Sequence, residues 1–418
     1  MKEHAIDLRG LVRPGDHIIW SGGGAEPQSL SRSLVAQRQD LSPISVFIGT
    51  VFSETLCPDN LSGISVSGLG GLGTARALTK AGLLQIIPCH FGQISRFIAA
   101  GLIGCDVAFV QVSAPGPDGQ HSFGATLDYM PSAVRRARTV VAEINDQVPW
   151  TYGAETLAPS RIDYSVNVSR PLIQVPATTG DVVSAQIGRN AAAFIGDGAV
   201  LQVGIGRLAD AVLQNLADRR RLGVHSGMIG DSMLDLIECG AVDNADKSID
   251  RGLTVTGALF GTQRLYNFAH LNRDVYMQPV SYTHDPFVLA QHESFTSINS
   301  ALEIDLAGAV NAEAVGERYI GAVGGQPDFV RAGQRSSRGC SLIVLPSTAG
   351  GASTLRARLT GPATTCKSDV DIVVTEYGAA ELRGQSLVER ARRLVAIAHP
   401  DFQEGLESQA SDLIRRGF

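Results

Sequence analysis

The stretch Gly196 to Asp231, GDGAVLQVGIGRLADAVLQNLADRRRLGVHSGMIGD, constrains the fold more than any other. Ala199 to Val203 is a short apolar run, Gly204-Ile205-Gly206 breaks it, and Leu208, Ala211, Val212, Asn215 and Leu216 then recur at helical spacing. A strand therefore passes through a glycine turn into a helix. A second apolar run, Leu222 to His225, completes a strand, helix, strand unit. Parallel strands joined this way carry their C-terminal ends, and any ligand, to one edge of a sheet.

Residues 14 to 30, PGDHIIWSGGGAEPQSL, repeat the pattern: Gly-Asp, a short strand, a glycine cluster, then a helix from about Glu26-Pro27. Laying Gly15-Asp16 over Gly196-Asp197 brings Gly23 and Gly24 opposite Gly204 and Ile205. The next strand, Ile44 to Gly49, corresponds to Leu222 to His225, so Glu54 falls roughly where Gly227 falls in the second half. The remaining first half keeps an α/β rhythm, with strands at Leu84 to Pro88, Val107 to Val112 and Val140 to Ile144, and helices at Thr74 to Ala81, Gln93 to Ala100 and Pro131 to Arg138. Residues 150 to 185 lack helical periodicity and contain Pro159, Pro171 and Pro176, which places the join there. The expected fold is α/β, with two similar open domains, residues 1–185 and 186–418, and a site in the cleft between them.

Composition narrows the function. A formal charge of −6 gives no broad basic field for nucleic acid. No run of about 18 apolar residues offers a membrane span, and no signal peptide precedes the first strand, so a cytoplasmic protein is expected. The six cysteines show no close pairing and read as buried free thiols. His284, Asp285, His292 and Glu293 match neither zinc nor calcium spacing and read as a polar face; no metal is expected. His225 and Ser226 adjoin on a strand and point to opposite faces, which removes them as a nucleophile pair.

Four blocks, QVGIGRLADAVL (202–213), HSGMIGDSMLDLIECGAV (225–242), GAVGGQPDFVRAG (321–333) and TCKSDVDIVVTEYGAAELRGQSLVERARRLVAIAHPDF (365–402), together resemble the acetyl-CoA hydrolase/transferase family, which includes 4-hydroxybutyrate and itaconate CoA-transferases. The resemblance implies a CoA-transferase, homodimeric, with coenzyme A and a small carboxylate as co-substrates and no bound cofactor. It implies catalysis by ping-pong exchange through a glutamyl-CoA thioester. It assigns oxyanion stabilisation to amides near Gly204 and Ile205, and CoA contacts to Gly206, Gly321, Gly324, Gly325, Gln326, Phe329 and Lys367. Gly23, Gly24, Glu26, Arg207, His225 and Gly227 would line the substrate side. In most of the family the dipeptide after the histidine is Thr-Glu, and that glutamate is the nucleophile; here the position is Gly227, which has no side chain to attack with.

A carboxylate nucleophile must then come from elsewhere. Glu54 is the first candidate and Glu26 the second; Asp231, Glu238 and Glu376 compete from the second half. Arg76 or Arg207 would meet the second carboxylate of a dicarboxylic substrate, and Arg135, Arg136, Arg138 and Arg219 to Arg221 are solvated surface or partners of CoA phosphates. Two other readings remain open: a thioester hydrolase, and a CoA-binding protein without catalysis.

Overall fold

Strict alternation decides which face each strand of the first half shows to which core. In Val107–Val112, Ala108, Val110 and Val112 join one apolar cluster while Val107 and Phe109 join another. Ile19 and Ile18, and Val140 and Val141, divide in the same way. Both faces are therefore covered, as a parallel sheet requires. A side chain such as Phe109, with no exposed surface, contributes roughly 2 to 3 kcal/mol by its burial.

The computed structural model describes residues 6–418. Its first sheet contains β1 (His17–Trp20), β2 (Ile44–Ile48), β3 (Ile64–Gly68), β4 (Leu84–Ile86), β5 (Val107–Val112), β6 (Thr139–Asn145) and β8 (Tyr164–Val168), in the order β4-β3-β2-β1-β5-β6-β8 and parallel throughout. The second sheet holds β9 (Val200–Val203), β10 (Gly223–Ile229), β11 (Thr254–Leu259), β12 (Val275–Met277) and β13 (Phe295–Ser300), then Cys340–Val344 and Ile372–Thr375. Its spatial order outward from β9 reproduces that around β1: β10, β11 and β12 on one side, β13, Cys340–Val344 and Ile372–Thr375 on the other. Two edge strands are additions. Gly378–Glu381 pairs antiparallel at one end, and β7 (Tyr152–Gly153) crosses from the first half to pair with β12 at the other.

The stretch 150–185 is more structured than its sequence suggests. It contains β7, β8 and the start of a helix, Val182–Ala192, capped by Asp181. The exposed, polar faces of β8 hid it from an apolar-run reading. One apolar cluster runs through both halves, joining Phe47, Val110 and Tyr129 to Leu201, Val224 and Leu265. Loops also stitch the halves together: Leu127 N–H donates to Gly257 C=O (2.9 Å) and Leu259 N–H to Ala125 C=O (2.8 Å).

All six cysteines are free, but only Cys89 and Cys105 are buried; Cys239 and Cys366 are exposed, against expectation. No helix among the described residues is long and apolar enough to cross a membrane.

Candidate functional site

The C-terminal ends of both sheets carry the glycine loops. After β9, Gly204 N–H donates to Ile298 C=O (2.9 Å), Ile205 projects outward, and Gly206 adopts φ +112° before helix Arg207–Leu213. That φ admits glycine far better than any other residue. The backbone here is open, with nothing near the side-chain position of Gly206. Arg207 forms an exposed ion pair with Asp181 (2.9 Å).

The loop 321–325 braces the two halves. Gly71 N–H donates to Gly321 C=O (3.0 Å) and Phe91 N–H to Gly324 C=O (2.9 Å). A Cβ on Gly321 would lie 2.0 Å from Ala312 C=O, so close backbone packing within the protein already demands this glycine. Gln326 and Phe329, expected at CoA, are buried instead. Gln326 donates to Ser300 C=O (2.9 Å) and accepts from Thr365 (3.1 Å), and Phe329 packs among His284 and Phe295. Their side chains build the wall behind the loop. Lys367 is exposed on the segment beside Thr365.

The first-half turn is covered rather than open. Side chains on Gly23 and Gly24 would run into Phe260 (2.2 Å) and the Tyr266 hydroxyl (2.5 Å), so close packing between the halves demands both glycines. His225, expected on the substrate side, is fully buried, its Nδ1 3.1 Å from His292 Nε2, with Tyr282 stacked on its ring. The polar-face reading of His284 and His292 fails too, since both are buried; Asp285 caps Pro286–Leu289 and Glu293 pairs with Arg338. Among the described residues no group of three or more His, Cys, Asp or Glu side chains is placed to hold a metal ion.

Among the carboxylates, Glu26 is 2% exposed and accepts from the amides of Phe52 (2.5 Å) and Ser53 (3.0 Å) and from the Ser53 hydroxyl (2.5 Å). Burial raises its pKa, against the pull of those hydrogen bonds. Its carboxylate fixes the loop after β2, and Phe52 sits edge-on against Phe260 at 5.6 Å. The next residue after Ser53 is Glu54, which is exposed and borders a cavity of about 570 Å³ with Gln28, Arg32, Phe52, Thr55 and Ile173. Overlaying Ile19 on Val200, the ladder partners Phe47 and Gly223 coincide, and four residues further on Val51 matches Gly227. Glu54 therefore lies three residues past the repeat position of Gly227, a correction to its expected equivalence. Asp231 accepts from Thr262 N–H, Glu238 pairs with Arg264, and Glu376 accepts from Ser347; each is committed within the fold.

The two halves match the Acetyl-CoA hydrolase/transferase N-terminal domain over residues 3–173 and the Acetyl-CoA hydrolase/transferase C-terminal domain over residues 261–410. The chain belongs to the acetyl-CoA hydrolase/transferase family. It is 41% identical over 342 residues to the 4-hydroxybutyrate coenzyme A transferase of Clostridium kluyveri, covering 81% of this chain and 80% of that one. Identity is 32% to the succinyl-CoA:cyclohexane-1-carboxylate CoA transferase of Geobacter metallireducens, over 98% and 95% of the two chains. The crystal structure of RipA from Yersinia pestis superposes with a TM-score of 0.91 at 32% identity, over 98% of this chain and 99% of that one.

Two residues that sequence reasoning did not place at the site, His284 and Asp128, lie near Gly227 and its strand neighbour Gly257. The His284 ring lies where a side chain on Gly227 would start, its Cε1 2.5 Å from that Cβ position, and its Nε2 is 2.4 Å from the equivalent position on Gly325. Burial lowers the His284 pKa to about 4, partly opposed by Asp328. Beside the neighbouring strand, Asp128 is buried with Oδ1 unpartnered and 2.8 Å from the Cβ position of Gly257, and burial raises its carboxyl to about 8. Periodicity announces neither, because each is placed by segments distant in sequence.

Proposed function

We propose that this protein transfers coenzyme A between an acyl-CoA and a small carboxylic acid, with Glu54 as the nucleophile. The Glu54 carboxylate attacks the thioester carbonyl, the C–S bond breaks, and CoA leaves as the thiolate. The thiolate then attacks the glutamyl carbonyl of the resulting anhydride and releases the donor acid. The glutamyl-CoA thioester so formed passes CoA to the acceptor by the reverse steps, so atoms balance with no further reactant.

The observation that carries this reading is the exposed Glu54 on a loop clamped by Glu26 and Phe260, beside a cavity, in a family member whose residue 227 has no side chain. Family membership and the open Gly204-Ile205-Gly206 turn support the acyl-transfer chemistry; Gly204 N–H donates to Ile298 C=O, so the Ile205 amide is the one proposed to meet the developing oxyanion. CoA acts as co-substrate; its contacts are proposed for Gly206, Gly324, Gly325 and Lys367. A cytoplasmic homodimer is the assembly proposed, on the family resemblance.

The test is CoA exchange between a panel of acyl-CoAs and labelled acids. Labelled acyl-CoA with parallel-line ping-pong kinetics supports transfer. Free CoA thiol released irrespective of acceptor would make the protein a hydrolase, and no turnover with retained CoA binding would make it a binder.

A further inference from the structure

The niche between Gly227 and Gly325 is occupied by an imidazole, and both glycines are needed to admit it. A Cβ on Gly227 would lie 2.5 Å from His284 Cε1 and 3.0 Å from Nε2; one on Gly325 would lie 2.4 Å from Nε2 and 2.5 Å from Cδ2. Gly227 lies on β10 and Gly325 closes the loop that braces the halves, so one ring touches both segments. Phe329 and Phe91 flank the ring at centroid distances of 4.4 and 5.1 Å. Thr283 Oγ1 stands 2.9 Å from Nδ1, which fixes the ring's rotation and turns Nε2 toward Gly325.

We propose that His284 is a catalytic residue that donates a hydrogen bond from Nε2–H to the thioester carbonyl oxygen as negative charge develops there. In this assignment the Thr283 hydroxyl is the donor to Nδ1, the tautomer that leaves the ring proton on Nε2. As the nucleophile adds to the carbonyl carbon, the π electron pair moves onto oxygen and is held by Nε2–H. When the C–S bond breaks the pair returns, and the proton never leaves nitrogen. A ring held neutral by burial suits this task, since a neutral imidazole donates without a change of charge. The inference rests on the thioester chemistry proposed above and is independent of which carboxylate attacks.

His284→Leu keeps the bulk and removes the donor; His284→Gln restores a donor nitrogen at similar reach. The expected result is a loss in kcat of roughly 10² to 10³-fold for His284→Leu, the cost of deleting one oxyanion donor. KM for acyl-CoA should change little, and His284→Gln should recover much of the rate. Thr283→Val should lower kcat in the same direction. Wild-type kcat in His284→Leu would overturn the assignment. Equal losses in both His284 variants, accompanied by lost CoA binding, would overturn it in favour of packing alone. A wild-type protein that turns over no thioester would overturn the parent reading and this one with it.

Discussion

Adding one methyl group at residue 227 tests the pinched niche directly. In Gly227→Ala the new Cβ would sit 2.5 Å from His284 Cε1, far inside van der Waals contact. The ring cannot withdraw, because its opposite edge already meets Gly325 and its face meets Phe329. Overpacking of this kind costs about 1 to 3 kcal/mol. In a His284→Ala background the obstacle is gone, and the same methyl should cost less than about 0.5 kcal/mol. The coupling between the two sites is therefore expected at roughly 1 to 2 kcal/mol, within the range for residues in contact. Urea unfolding of wild type, both single variants and the double variant measures it from midpoints and slopes. An equal penalty for Gly227→Ala in both backgrounds would refute the reasoning and mean that the ring moves aside freely.

Three further outcomes follow from named contacts. Glu26→Gln replaces one acceptor of the Phe52 and Ser53 donors with an amide donor; activity should fall with little change in CoA affinity, and stability should drop by about 1 to 3 kcal/mol, read by activity assay and denaturation. Arg170→Met leaves the fully buried Glu143 carboxylate without its ion-pair partner and should destabilise by about 3 to 5 kcal/mol in the same denaturation assay. Asp128 binds a proton in the folded state up to about pH 8 but in the unfolded state only up to the ordinary carboxyl value of 3.8, so its contribution to stability is full below that value and is lost as pH rises toward 8. The stability of Asp128→Asn relative to wild type should therefore climb across that window, by at most roughly 1.4 kcal/mol per pH unit. A flat difference would refute the buried, unpaired carboxyl. Taking the difference cancels the opposite slope from His284 and His292, whose lowered pKa values make stability rise with pH below 6.5.

The parts of the molecule legible in sequence are those encoded by local pattern. The apolar run and glycine break at Val200–Gly206, and its echo at His17–Gly24, pointed to two similar halves, and the matching strand order of the two sheets is what the structure adds. Elements without such a pattern escaped. The strand Tyr164–Val168 presents mostly exposed residues, and the final helix Pro400–Arg415 buries only Leu406 and Ala410. The site was harder still. A glycine looks alike whether it faces a ligand or a neighbouring loop, and Gly23, Gly24 and Gly321 proved to face neighbours. Glu26 reads as a helix-start carboxylate, yet it holds a loop contributed by residues 52 and 53. His284 and its two glycines come from three separate segments, so only folding brings them into register.

The most direct test of the central claim is peptide mass spectrometry after incubation with an acyl-CoA panel and borohydride trapping of the thioester. The account predicts a modified peptide carrying Glu54, absent from Glu54→Gln, which should also lose transfer activity. Modification at Glu26 instead, or full transfer activity in Glu54→Gln, would contradict it.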